Sequence, residues 1–148
     1  MSTAKINVEF KVTDNFSGAV DAVLIEQNNK LLAIFTGGED RGKIVGGCDT
    51  VAWYLRTENG VKIYKELFYS QLAYNSDWNW LMEIVLKIES IDNERFCFDI
   101  SLSGATIEDM LNDFNTIVEI VGKTKIESVY LACVEFVKWY NKQNIKSC

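Results

Sequence analysis

The sequence predicts an α+β fold: a mostly antiparallel sheet of about four to five strands with two main amphipathic helices, about 77–90 and 125–143, packed on one face. Three observations predict it. Two segments repeat apolar residues at three- and four-residue steps, the period of a helix face. Several short segments alternate apolar and polar residues, the period of a half-buried strand. Asn59-Gly60 stands between two aromatic-rich runs, and this pair supplies the positive φ angles of a tight hairpin turn.

In chain order, residues 6–12 alternate and read as a strand, followed by a turn cluster at Asp14, Asn15, Ser17 and Gly18. Residues 20–35 are ambiguous. Val20, Val23, Leu24, Leu31, Ile34 and Phe35 suit a helix ended by Gly37, while Asn28-Asn29 also suits a hairpin tip. The reading favours a helix for the second half. Residues 36–47 form a glycine-rich loop, and 51–56 with 61–69 form the hairpin. Ser76 or Asp77 caps the first main helix, whose stripe is Trp78, Leu81, Ile84, Val85 and Ile88. Residues 95–102 alternate as a strand, a short helix is expected from Thr106 to Phe114, and 116–121 read as a further strand. Thr124 and Glu127 make a capping box for the last helix. Its stripe is Ile126, Val129, Tyr130, Cys133, Phe136, Val137 and Tyr140. No linker or repeat interrupts the chain, so 1–148 reads as a single domain.

Composition narrows the chemistry. The chain has no histidine, which removes the commonest general base at neutral pH and with it Ser-His-Asp and Cys-His hydrolysis. Its four cysteines, Cys48, Cys97, Cys133 and Cys148, include no Cys-x-x-Cys pair, so a zinc site is not expected. Cys97 and Cys133 read as small core residues in a reducing compartment. No apolar run reaches the ~20 residues of a membrane helix, and the first eleven residues lack a signal-peptide core. The expectation is a cytoplasmic protein with no membrane contact. The net charge is −6. Five lysines face two glutamates from Lys123 onward, so the preceding body is the acidic part. An acidic body repels phosphate, which argues against duplex nucleic acid; it would attract a basic protein partner or the nucleic-acid groove of one, although keeping the domain soluble is the simpler account of the charge.

Two motifs look like fragments of known chemistry. Gly37-x-x-x-x-Gly42-Lys43 matches most of a phosphate-binding loop. However, Ile44 stands where a magnesium-binding Ser or Thr is needed, and Glu39 and Asp40 lie inside the loop. Glu9-Phe10-Lys11 is a Glu-x-Lys on a strand, but no acidic residue precedes Glu9 to share a metal with it. Strand alternation explains the triplet. Tyr74, Trp78 and Trp80 cluster at a helix start. Trp78 continues the apolar stripe and is expected in the core, while Trp80 points elsewhere and is the better surface candidate. The residues singled out for a ligand or partner are therefore Gly37, Gly38, Arg41, Gly42, Lys43, Tyr74 and Trp80. No catalytic residue, metal ligand or cofactor is assigned.

Residues 76–90, Ser-Asp-Trp-Asn-Trp-Leu-Met-Glu-Ile-Val-Leu-Lys-Ile-Glu-Ser, follow Leu72-Ala-Tyr74. Residues 124–141 end in Glu-Phe-Val-Lys-Trp-Tyr-Asn, and residues 29–38 run Asn-Lys-Leu-Leu-Ala-Ile-Phe-Thr-Gly-Gly. Together these resemble a group of small uncharacterised proteins encoded by phages, prophages and mobile elements of Bacteroidota. That group has a Ser-Trp-Asp-Trp-Leu-Met-Pro helix start and a Glu-Phe-Ile-Lys-Trp-Tyr-Asn ending. The resemblance spans roughly 28–142 and departs at Glu83, where the group has proline. It implies a mobile-element origin and carries over no functional residue. The expected function is a non-enzymatic protein that binds a host protein, such as a defence component. The alternative is sequestration of a small molecule or signalling nucleotide at the glycine loop.

Overall fold

A computed structural model describes residues 6–9, 18–43, 49–102, 104–122 and 124–146. Its elements are β1 (Ile6–Glu9), α1 (Gly18–Phe35), β2 (Glu39–Lys43), β3 (Asp49–Glu58), β4 (Val61–Phe68), α2 (Trp78–Ser90), β5 (Phe96–Ile100), β6 (Gly104–Asp109), β7 (Asn115–Val121) and α3 (Lys125–Lys146). The class is α+β. The expected single sheet is replaced by two, ordered β2-β3-β4 and β1-β7-β6-β5, and a third helix joins the two expected ones. The chain divides into two compact units, Ser17–Tyr74 and Asn75–Cys148 with Met1–Phe16. No change in composition marks either boundary, which is why the sequence reads as one domain.

In the 17–74 unit, α1 takes the whole ambiguous stretch. Asn28 and Asn29 are buried within the helix, not at a hairpin tip, and Asn29 donates its Nδ2 to the Leu72 carbonyl at 3.0 Å. The helix ends on Gly37 at φ +103°. Gly37 N–H reaches the Ile34 carbonyl and Gly38 N–H the Ala33 carbonyl, both at 3.0 Å, the paired bonds of a Schellman stop. Gly38 is needed for a second reason. A Cβ there would lie 2.8 Å from the Ala33 oxygen and 2.9 Å from the Ala52 oxygen. Only glycine lets the end of α1 pass so close to β3.

The β3–β4 hairpin turns at Asn59 (φ +50°) and Gly60 (φ +77°), and Glu58 pairs with Val61. Two consecutive positive φ angles match the right-handed strand twist. Residues 39–43, expected in a loop, form β2 along β3, with a register shift between Asp40 and Gly42. The remainder of that expected loop, 44–47, lies outside the described residues.

In the other unit, β5, β6 and β7 are antiparallel neighbours and β1 pairs in parallel with β7. The helix expected over 106–114 is absent. Ala105, Ile107 and Asp109 are buried in alternation on β6, which bonds to β5 on one side and β7 on the other. Strand pairing on both sides prevails over a weak local helical pattern. A turn follows β6, with Asp113 and Phe114 at positive φ.

Both expected helices of this unit form. Asp77 caps α2 by accepting the Asn79 N–H at 2.8 Å, and the Thr124 hydroxyl accepts the Glu127 N–H at 3.2 Å at the start of α3. Helix α2 packs on β5, α3 packs on β6 and β7, and the two helices touch. Between Ser128 and Val134 every residue of α3 is buried, so its apolar contact is wider than a single stripe. Phe136 anchors the core, with its ring centroid 4.9 Å from Phe96, 5.8 Å from Trp139 and 5.8 Å from Tyr140. No helix among the described residues is long and apolar enough to cross a membrane.

Candidate functional site

The residues singled out in the sequence divide between the two units, 37–43 and Tyr74 in one and Trp80 in the other. Gly37 and Gly38 serve the stop of α1. Arg41, Gly42 and Lys43 lie on β2, with side chains outside the described set. The acidic pair of this segment is engaged internally. The Tyr69 hydroxyl donates to Asp40 at 2.8 Å, Lys30 lies 3.5 Å from the same carboxylate, and the Tyr64 hydroxyl donates to Glu39 at 3.3 Å. These anions stand where phosphate would have to approach. Tyr74 is fully buried, and its hydroxyl accepts the Trp53 Nε1–H at 2.9 Å. It is a core residue and offers a partner no surface. The expectation for the tryptophans is reversed: Trp78 is 39% exposed and Trp80 is half-buried. Of the Glu-x-Lys triplet, Glu9 ends β1, while Phe10 and Lys11 lie outside the described residues.

A different surface emerges on α2. Its inward face is Leu81, Ile84, Val85 and Ile88. Trp78, Met82 and Leu86 occupy a neighbouring line at four-residue steps and are exposed, Leu86 by 61%. Eight helical steps from Trp78 to Leu86 make this stripe ~12 Å long. Its lower end opens into a groove of about 590 Å³ lined by Leu86, Glu89, Ser90, Asn93, Glu94, Phe96, Cys97 and Met110. Met110, Leu111 and Phe114, in the turn after β6, add exposed apolar surface. Sequence reasoning missed this stripe because Leu86 and Met82 sit beside a regular buried set and break no pattern.

One ion pair ties the groove walls together. Arg95 follows Asn93 and Glu94, and Asp109 precedes Met110. The guanidinium grips the carboxylate with two bonds, Nε to Oδ1 at 2.9 Å and Nη2 to Oδ2 at 2.6 Å. Asp109 also accepts the Leu111 N–H at 3.2 Å, and Arg95 reaches Asp92 at 3.3 Å. The Asp109 side chain is 1% exposed. The Arg95 hydrogen bond holds its carboxyl below the usual carboxylate range, against the opposing effect of burial. The pair also holds Asp92, Asn93 and Glu94 in place, three successive residues at φ +49°, +58° and +65°. Each left-handed residue costs ~1–2 kcal/mol, so the turn needs such an external tie.

No protein-family model, curated protein or solved structure matches the chain.

The groove lining is chemically quiet. Cys97 is its one thiol, and it is pushed up by burial first, then by the charges of Asp99, Glu108 and Glu89. Burial alone pushes the Cys133 thiol well up. Both therefore stay protonated at neutral pH, and the thiolate is the reactive form. A second hollow of about 320 Å³ lies along β5, β6 and β7, with Asp99 and Glu119 flanking Thr106 in register. Two strand spacings set the Asp99 and Glu119 backbones ~9–10 Å apart. Among the described residues no three His, Cys, Asp or Glu side chains converge to hold a metal.

Proposed function

We propose that the chain is a non-enzymatic binding protein of a phage or other mobile element. It docks on a host protein in the bacterial cytoplasm, with a defence component as the expected partner class. The observation that carries this reading is the exposed line Trp78, Met82 and Leu86 running into the groove. Contiguous apolar surface rimmed by polar groups marks an interaction site. Small-ligand sites are concave and enclose most of their ligand, whereas this surface is a helix ridge beside an open groove. Tryptophan at its end suits an interface anchor. The resemblance of residues 28–142 to mobile-element proteins supports the origin. Sequestration of a small molecule at 36–47 stands second, because Gly37 and Gly38 are already used in turning the chain.

Photo-crosslinking tests the proposal. A photoreactive residue replacing Leu86, in protein made inside a Bacteroidota host, should yield one discrete protein adduct. The same residue replacing the exposed Lys62 on β4 should not. Equal adducts from both positions, or none from position 86, would overturn the proposal.

A further inference from the structure

We infer that the segment covering the α2 stripe is a cationic amphipathic helix of the partner protein. The inference rests on the protein-binding reading above and adds the chemistry of the partner.

The shape comes from the stripe. Trp78, Met82 and Leu86 form an i, i+4, i+8 ridge, and such ridges seat in the grooves of another helix. The floor at its end, Leu86, Phe96 and Met110, is apolar and gives a partner side chain a place to insert. Two of the exposed residues are methionines, Met82 and Met110. Their unbranched side chains reshape around an incoming helix.

The charge comes from the rim. Glu89 and Glu94 line the groove, and no Lys or Arg does. Two cations of neighbouring sequence do not offset that charge. Lys87 is about 100° round the helix from Leu86 and on the opposite flank from Trp78. Arg95 lies over the Phe96 ring at 4.9 Å from its centroid, but its charge is matched by Asp109 and Asp92.

That rim also selects among occupants. A second copy would bring the same acidic rim and no lysine or arginine from the groove lining to meet it. Nucleic acid and anionic lipid present phosphate and are repelled. A helix with apolar residues on one face and lysine or arginine along its border satisfies both the ridge and the rim. This is the helix-in-groove mode of recognition.

The test is a ¹H–¹⁵N titration of the full chain with three synthetic peptides. The first is an amphipathic helix with leucines at i, i+3, i+4 and i+7 and flanking lysines. The second carries glutamate in place of lysine, and the third scrambles the first. The basic helix should shift amides within 78–97 and 110–114, and binding should weaken with added salt. The scrambled and acidic peptides should leave these amides unmoved. The double variant Glu89→Lys, Glu94→Lys should weaken binding at least ~10-fold, since like-charge contact disfavours association. Glu89→Gln with Glu94→Gln guards against a folding defect and should fall between wild type and the lysine pair. Equal binding of the acidic peptide, unchanged binding by the lysine pair, or shifts confined to other elements would overturn the inference. A crosslink from position 86 together with failure of the basic peptide would sink the cationic helix alone. Failure of both would remove the protein-binding reading as well.

Discussion

Replacing Phe136 with alanine should destabilise the protein by about 3–5 kcal/mol, the range for removing a buried aromatic ring. Phe136 is fully buried, and its ring meets Phe96 edge-on at an interplanar angle of 75° and lies nearly parallel to Tyr140 at 14°. Its loss opens a cavity between α3 and β5 that three large rings cannot fill without leaving their rotamers. Phe96 also lines the groove, so the same substitution should loosen that wall. Urea unfolding followed by far-ultraviolet circular dichroism measures the loss as a lower midpoint at unchanged slope. A cost under ~1 kcal/mol, the size of an ordinary surface change, would mean that this cluster is not the core of its unit.

Arg95→Met should cost a similar amount at neutral pH, about 3–5 kcal/mol, because it strands a buried carboxylate. The pH dependence separates this cause from simple loss of packing. In the wild type the Asp109 carboxyl is held below its unfolded value. The stabilisation from the pair is therefore complete above the unfolded pKa of about 3.9. It disappears as pH falls through the lower folded value. In the variant, burial without the guanidinium raises the carboxyl above its unfolded value. The deficit is then largest at neutral pH and shrinks as acidification protonates Asp109. Wild type and variant should therefore converge between pH 7 and about pH 4. Parallel stability curves over that range would show that the pair contributes no net electrostatic term.

The legible parts of this fold are those whose cause is local. Asn59-Gly60 declares a turn by backbone freedom, Asp77 and Thr124 declare helix starts by their side-chain oxygens, and Gly37 declares a helix end. The α2 period is clear because Leu81, Ile84, Val85 and Ile88 all face inward. Helix α1 is blurred because Val23, Leu24 and Ile34 are exposed on it, spreading apolar residues round its circumference. Strand β6 is not legible in the sequence because its state is set by neighbours that are remote along the chain: Ile107 pairs with Phe98 and with Val118.

The site was harder to read than the fold. A conspicuous glycine string drew attention to 37–43, yet its first two glycines serve a helix stop and a close backbone approach. Trp78 and Trp80 have the same composition and nearly the same position, and only helix phase against the actual core separates them. The Arg95–Asp109 tie joins residues 14 apart through a hairpin the sequence does not announce. The groove exists only once β6 has brought Met110 beside the end of α2.

The most direct measurement is carbene footprinting of the chain, free and bound to whichever host protein the position-86 crosslink captures. The account predicts severalfold lower labelling at Trp78, Met82, Leu86 and Met110 in the complex, with Val61 on the hairpin and Leu102 after β5 unchanged. Protection at the hairpin with the α2 stripe still fully labelled would contradict it.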